Sequence, residues 1–121
     1  MNDCPVVLVI EDSSELRQEL RNVMTDILGL EVAECGGVRA VVESFTAGPR
    51  PDLALVNLDG VTGAEAVESL KRAHADLPVI GMSVEDCRDK AKQLGCDDLL
   101  LKPFLLEELA DVVSRWLPAG Y

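Results

Sequence analysis

The run Val6-Val7-Leu8-Val9-Ile10 constrains this chain most. It is unbroken, apolar and rich in β-branched residues. A strand with one solvated face alternates apolar and polar side chains, and this run does not. Both of its faces must be covered, which is the place of a central strand in a parallel sheet. Apolar runs recur at 53–56, at 79–82 after Pro78, and at 99–101, with a shorter one at 30–34.

Amphipathic stretches separate these runs. Ser13 and Ser14 can cap a helix in which Leu16, Leu20, Val23, Met24 and Ile27 recur at helical spacing, and Gly29 ends it. Gly36-Gly37 turns the chain into a helix over 38–45, which Gly48-Pro49-Arg50-Pro51 breaks. Further helices are expected over 64–73, over 85–94 where Gly95 closes the turn, and from about 106 to 117. Strand and helix alternate five times along what reads as one domain, 1–121. Short right-handed crossovers then give an α/β fold with a five-stranded parallel sheet and helices on both faces. In such folds, sites lie at the carboxyl ends of the strands.

Composition removes several function classes. The 22 acidic and 11 basic residues leave a net charge of -11, a surface that repels phosphate backbones, so no direct nucleic-acid contact is expected. No apolar run reaches the roughly 18 residues needed to span a bilayer. The segment Met1-Asn2-Asp3-Cys4-Pro5 lacks the basic start of a signal peptide. No membrane association and a cytoplasmic location are therefore expected. Cys4, Cys35, Cys87 and Cys96 form no C-x-x-C pair, and His74 is the sole histidine, so zinc is not expected. The cysteines read as small core residues or free thiols, Met24 and Met82 as core, and His74 as a solvated helix end.

The residues just after the strands carry the chemistry. Glu11 and Asp12 follow the first, Asn57 the third, Ser83 the fourth and Lys102-Pro103 the fifth. Two adjacent carboxylates suit a hard cation such as Mg²⁺, which takes oxygen ligands. A hydroxyl and an ammonium nearby suit a phosphoryl group. Each element alone is weak; their order along the chain is the signal.

On these residues the chain resembles the receiver domains of bacterial response regulators. The resemblance rests on Val7-Leu8-Val9-Ile10-Glu11-Asp12, on Pro51-Asp52-Leu53-Ala54-Leu55-Val56-Asn57, on Pro78-Val79-Ile80 with Ser83, and on Gly95-Cys96-Asp97-Asp98 leading to Lys102-Pro103-Phe104. It implies the flavodoxin-like (βα)5 three-layer sandwich of two-component signalling proteins. It also implies protein partners: a sensor kinase, an output domain or a downstream regulator, and a homodimer through strand five and its flanking helices. Ser83 and Lys102 then stand where the family holds phosphate, Glu11 and Asp12 where it holds metal, and the Asp59 backbone borders that metal site.

The departures from the family concern its chemistry. The phosphoryl acceptor is an aspartate at the end of strand three, and Asn57 stands in its place. An amide oxygen is neutral and a poor nucleophile. With one negative charge fewer, the site should hold Mg²⁺ weakly, and no cofactor is required. Lys102, lacking a carboxylate at 57, can turn to Asp12 or Glu11 and fix the pocket without a metal. The loop from Asn57 to Gly63 is short, with Val61 where the family tends to place proline, and the stretch from Ser83 to Gly95 is also trimmed. Leu99 fills the aromatic switch position and cannot reproduce a ring rotation.

The reading that follows is an atypical receiver: a regulatory interaction module, not an enzyme, working without aspartyl phosphorylation. The alternative is a phosphorylation-switched receiver, with Asn57 an engineered substitution or with Asp59 substituting. Against the latter, the Asp59 side chain should point elsewhere if its segment is extended. A flavin or small-molecule protein of the same fold is disfavoured by an aromatic content of 3% and by Glu11-Asp12 in the loop that would have to cradle phosphate. Leu105, at an N-cap, and Leu106 are unusually apolar for a solvated helix start. They either pack on the core or form a contact surface.

Overall fold

The computed structural model describes residues 5–35, 50–60 and 62–117. Strands β1 (Val6–Ile10), β2 (Glu31–Cys35), β3 (Leu53–Asn57), β4 (Val79–Ser83) and β5 (Asp98–Leu101) form one sheet in the order β2-β1-β3-β4-β5. Every neighbouring pair is parallel. Among the described residues the helices are α1 (Ser14–Asn22), α2 (Gly63–Ala73), α3 (Arg88–Leu94) and α4 (Leu106–Trp116). The chain has the flavodoxin-like α/β fold. The Gly36-Gly37 turn, the helix expected over 38–45, its break at Gly48-Pro49, Val61, Cys4 and the Cys35 side chain lie outside the described residues.

Strand side chains alternate between two cores, as the period of two requires. Val7, Val9, Leu53, Leu55, Ile80 and Met82 pack with Leu20 and Met24 of the first helical segment and with Leu109, Val112 and Val113 of α4. Leu8, Ile10, Ala54, Val56 and Val79 pack on the other face with Ala66, Val67 and Leu70 of α2 and Ala91 of α3. Val7, Val9, Leu53 and Leu55 are completely buried, which is why their strands read as unbroken apolar runs.

Local chemistry sets the ends. Ser13 caps α1, its hydroxyl accepting from the Leu16 amide at 3.2 Å. Gly95, at φ +106°, closes α3 in the left-handed conformation that glycine adopts without a β-carbon clash. Two aspartates hold the opposite, amino-terminal edge of the sheet. Asp52 accepts from the Val6 amide at 2.9 Å, and Asp97 accepts from the Val79 amide and from Lys71, each at 2.8 Å. The first amide of a strand is thereby satisfied where the ladder would leave it open.

Three local expectations change. The helix from Ser14 widens into a π-helical turn, Val23–Ile27, with the Leu28 amide reaching back to Val23. The wider turn moves Ile27 off the apolar stripe, and it is 60% exposed while Met24 is fully buried. The helix expected from residue 85 begins at Arg88, because the Glu85 amide is held by Ser83 and the Cys87 amide by the Glu85 carbonyl. His74, at the C-cap of α2, is half-buried rather than fully solvated, and its carbonyl accepts from the Leu77 amide. Cys87 and Cys96 are free thiols, and burial first, then Asp97, pushes the Cys96 thiol up to about 11. No helix among the described residues is long and apolar enough to cross a membrane.

Candidate functional site

Strand register builds the site. Ile10 lies opposite Val56, Asn57 opposite Met82, and Ser83 opposite Leu101. The residues that end these strands or follow them, Glu11, Asn57, Ser83 and Lys102, therefore line one edge of the sheet. The Lys102 amide continues the ladder by donating to the Ser83 carbonyl at 2.8 Å, which aims its side chain back over β3 and β1.

Lys102 is the hub. Its ammonium donates to Glu11 Oε1 at 2.9 Å and to Asn57 Oδ1 at 3.0 Å, and stands 3.9 Å from Asp59 Oδ2. Glu11 is 2% exposed, a buried carboxylate that needs a partner, and its other oxygen accepts from the Ser13 amide at 3.1 Å. Of the two partners considered for Lys102, the structure selects Glu11. Arg17 donates to the Glu11 backbone carbonyl, a contact with no periodic signature in sequence. Asp12 is exposed and lies against Gly60, where an added β-carbon would stand 2.5 Å from its Oδ2.

Asp59 overturns its expected orientation. Its side chain enters the site: Oδ1 accepts from the Ser83 hydroxyl at 2.6 Å and Oδ2 from the Val84 amide at 3.1 Å. Residues two apart share a face of an extended segment, so Asp59 follows Asn57 to the site and Leu58 faces the other way; the expectation had this alternation reversed. Asn57 Oδ1 also accepts from the Asp59 amide at 3.1 Å, an Asx turn that bends the chain there and fixes the carboxylate. Asn57-Leu58-Asp59-Gly60 carries the turn chemistry that signals this bend. Between the two polar residues, Leu58 goes the other way, into the core over Gly81, where a β-carbon would lie 2.6 Å from its Cδ1.

Glu11 and Asn57 are hydrogen-bonded within the chain. Both Glu11 oxygens are bonded, and the Asn57 oxygen accepts two donors. Mg²⁺ demands near-octahedral oxygen donors at about 2.0–2.1 Å. Among the described residues no group of three or more His, Cys, Asp or Glu is placed to hold a metal. Glu11 and Asn57 are turned toward an ammonium and backbone amides, while Asp12 is exposed beside Gly60. Leu99 is half-buried and packs at the edge of the second core. Leu105 and Leu106, at the start of α4, are 63% and 42% exposed, and Leu106 borders a groove shared with Leu16, Val23, Phe104 and Leu109.

Comparison with known proteins identifies the family. The family model of the response regulator receiver domain matches residues 7–114. The transcriptional regulatory protein PrrA of Mycobacterium tuberculosis is 33% identical over 118 residues, covering 93% of this chain and 50% of PrrA. The C4-dicarboxylate transport transcriptional regulatory protein DctD of Pseudomonas aeruginosa is 34% identical over 115 residues, covering 92% of this chain and 25% of DctD. The chain thus spans half or less of the length of these curated relatives. Among solved structures, the chemotaxis response regulator CheY4 of Vibrio cholerae superposes with a TM-score of 0.84 at 25% identity, covering 94% of this chain and 99% of that one. With the family model covering most of the chain and the fold in agreement, the chain belongs to the response regulator receiver domain family of two-component signalling.

Proposed function

We propose that this receiver domain is a regulatory interaction module that works without aspartyl phosphorylation. One observation carries the reading: the residue at the end of β3 is Asn57, and its side-chain oxygen is committed to the Lys102 ammonium and the Asp59 amide. A neutral amide oxygen cannot supply the attacking lone pair that phosphoryl transfer to a carboxylate requires. The module is not an enzyme, needs no metal and acts in the cytoplasm. Its partner is a protein, whether a sensor kinase, an output domain or a downstream regulator. The exposed Leu105 and Leu106 supply an apolar contact beside β5, for such a partner or for a second copy.

Acetyl phosphate with Mg²⁺ tests this. The wild-type chain is expected to take no label, and Asn57→Asp restores the missing nucleophile and gains it. Strong labelling of the wild-type chain would overturn the proposal. A second reading is favoured by the position of Asp59, whose carboxylate sits between Ser83 and Lys102. If Asp59 were itself the acceptor, label would appear on wild type and vanish in Asp59→Asn.

A further inference from the structure

Three donors from two separate segments converge beyond β3. The Ser83 hydroxyl and the Val84 amide belong to the end of β4, and the Lys102 ammonium follows β5. A hydroxyl and a backbone amide aimed at one point, with an ammonium within ion-pair reach, make a receptor for an oxyanion. In this chain the point is filled by Asp59, at 2.6 Å from Ser83 Oγ, 3.1 Å from the Val84 amide and 3.9 Å from Lys102 Nζ. Each carboxylate oxygen takes a separate donor of the β4–α3 connection. Ser83 is itself 3% exposed and passes the contact on, its oxygen accepting from the Glu85 amide at 3.1 Å.

We propose that Asp59 is a built-in ligand of this oxyanion site, a carboxylate of the chain that holds the β4–α3 connection in the arrangement an external phosphate-class anion would otherwise impose. The inference rests on the reading that Asn57 is not phosphorylated, because a phosphoryl group at 57 would need the same donors. The Asx turn at Asn57 positions the carboxylate, so the amide that removes the nucleophile also places the substitute anion. Tethering favours the internal ligand. A group two residues from its anchor acts at an effective concentration of about millimolar or more, so a free anion must exceed that to displace it.

The test is a titration of the full chain with inorganic phosphate, read by the backbone amide resonances of Val84 and Glu85. Wild type is expected to show no saturable shift at millimolar phosphate. Asp59→Ala empties the site and is expected to bind phosphate about tenfold more tightly or better, the factor set by losing one charge-assisted competitor. Its Val84 amide, without phosphate, should exchange faster with solvent. Asp59→Asn keeps the side-chain volume and secures the comparison should the alanine variant fold poorly; it too is expected to bind phosphate more tightly than wild type. Equal phosphate affinity in wild type and both variants would overturn the proposal. So would an unchanged Val84 exchange rate in Asp59→Ala, or faster exchange without phosphate binding, which would make Asp59 a loop fastener only. Failure of the non-phosphorylated reading is distinct: it appears as acetyl phosphate label on wild type, located by mass spectrometry at Asn57 or Asp59, whatever the phosphate titration gives.

Discussion

Lys102 carries more of the site than any other residue, and the burial of Glu11 is the reason. A carboxylate at 2% exposure is compensated in the interior by the ammonium 2.9 Å away. Removing one member of a buried pair leaves the other uncompensated, at a cost of about 3–5 kcal/mol. Lys102→Ala is therefore expected to lose about 3 kcal/mol in urea unfolding, and adding Glu11→Gln should recover part of that loss. Additive effects in the double mutant would refute the coupling. At this scale sequence reading succeeds for residue type and fails for direction. Glu11, Asn57, Ser83 and Lys102 are legible because each directly follows or ends an apolar run. The partners of Asp59 are not, because Ser83 and Val84 come from a separate segment, although its side follows from Asn57, since residues two apart share a face.

Among the elements, the joint between β5 and α4 has the most concentrated polar chemistry. Asp98 accepts from the Leu99 amide and Trp116 Nε1, each at 2.9 Å, and from Arg115 at 2.8 Å. Burial pushes its carboxyl up, but the bonds from Trp116, Leu99 and Arg115 together outweigh it and hold the group below 3.8. A carboxyl depressed in the folded state binds protons more readily once unfolded. Its stabilisation is full above pH about 4 and is lost as the pH falls through the depressed value. Asp98→Asn should accordingly lower stability near neutral pH, with the gap to wild type closing in acid; a gap that persists unchanged to pH about 2 would exclude a charge-based role. Elements themselves are well marked in sequence, since periodicity reports which faces are buried. Their ends are less so: the π-helical turn that exposes Ile27 depends on how the chain enters β2, and the late start of α3 on the bonds made by Ser83 and Glu85.

For the whole molecule, parallel strands and two-sided burial bring the strand-end residues to one edge, and Leu105 and Leu106 present an apolar surface at the start of α4. Leu105 sits at the N-cap of α4, its amide satisfied by Glu108 at 2.9 Å, so its side chain is not needed for capping. Leu105→Asp is expected to change stability by no more than about 0.5 kcal/mol, while weakening self-association or partner binding. Light scattering and a partner pull-down check this, and no change in either removes the contact surface. Sequence reading leaves open whether these leucines pack inward or outward, because both outcomes place apolar residues at the same helical positions.

The carboxylate seated against Ser83 and Val84 also bears on time. A phosphoryl group arrives from a donor and leaves by hydrolysis, so it records a recent event. Asp59 is installed at translation and departs only when the chain is degraded. On the proposed reading without aspartyl phosphorylation, a signal that passes through such a domain takes its timing from how much of the protein is made, how long it lasts, and when its partner meets it.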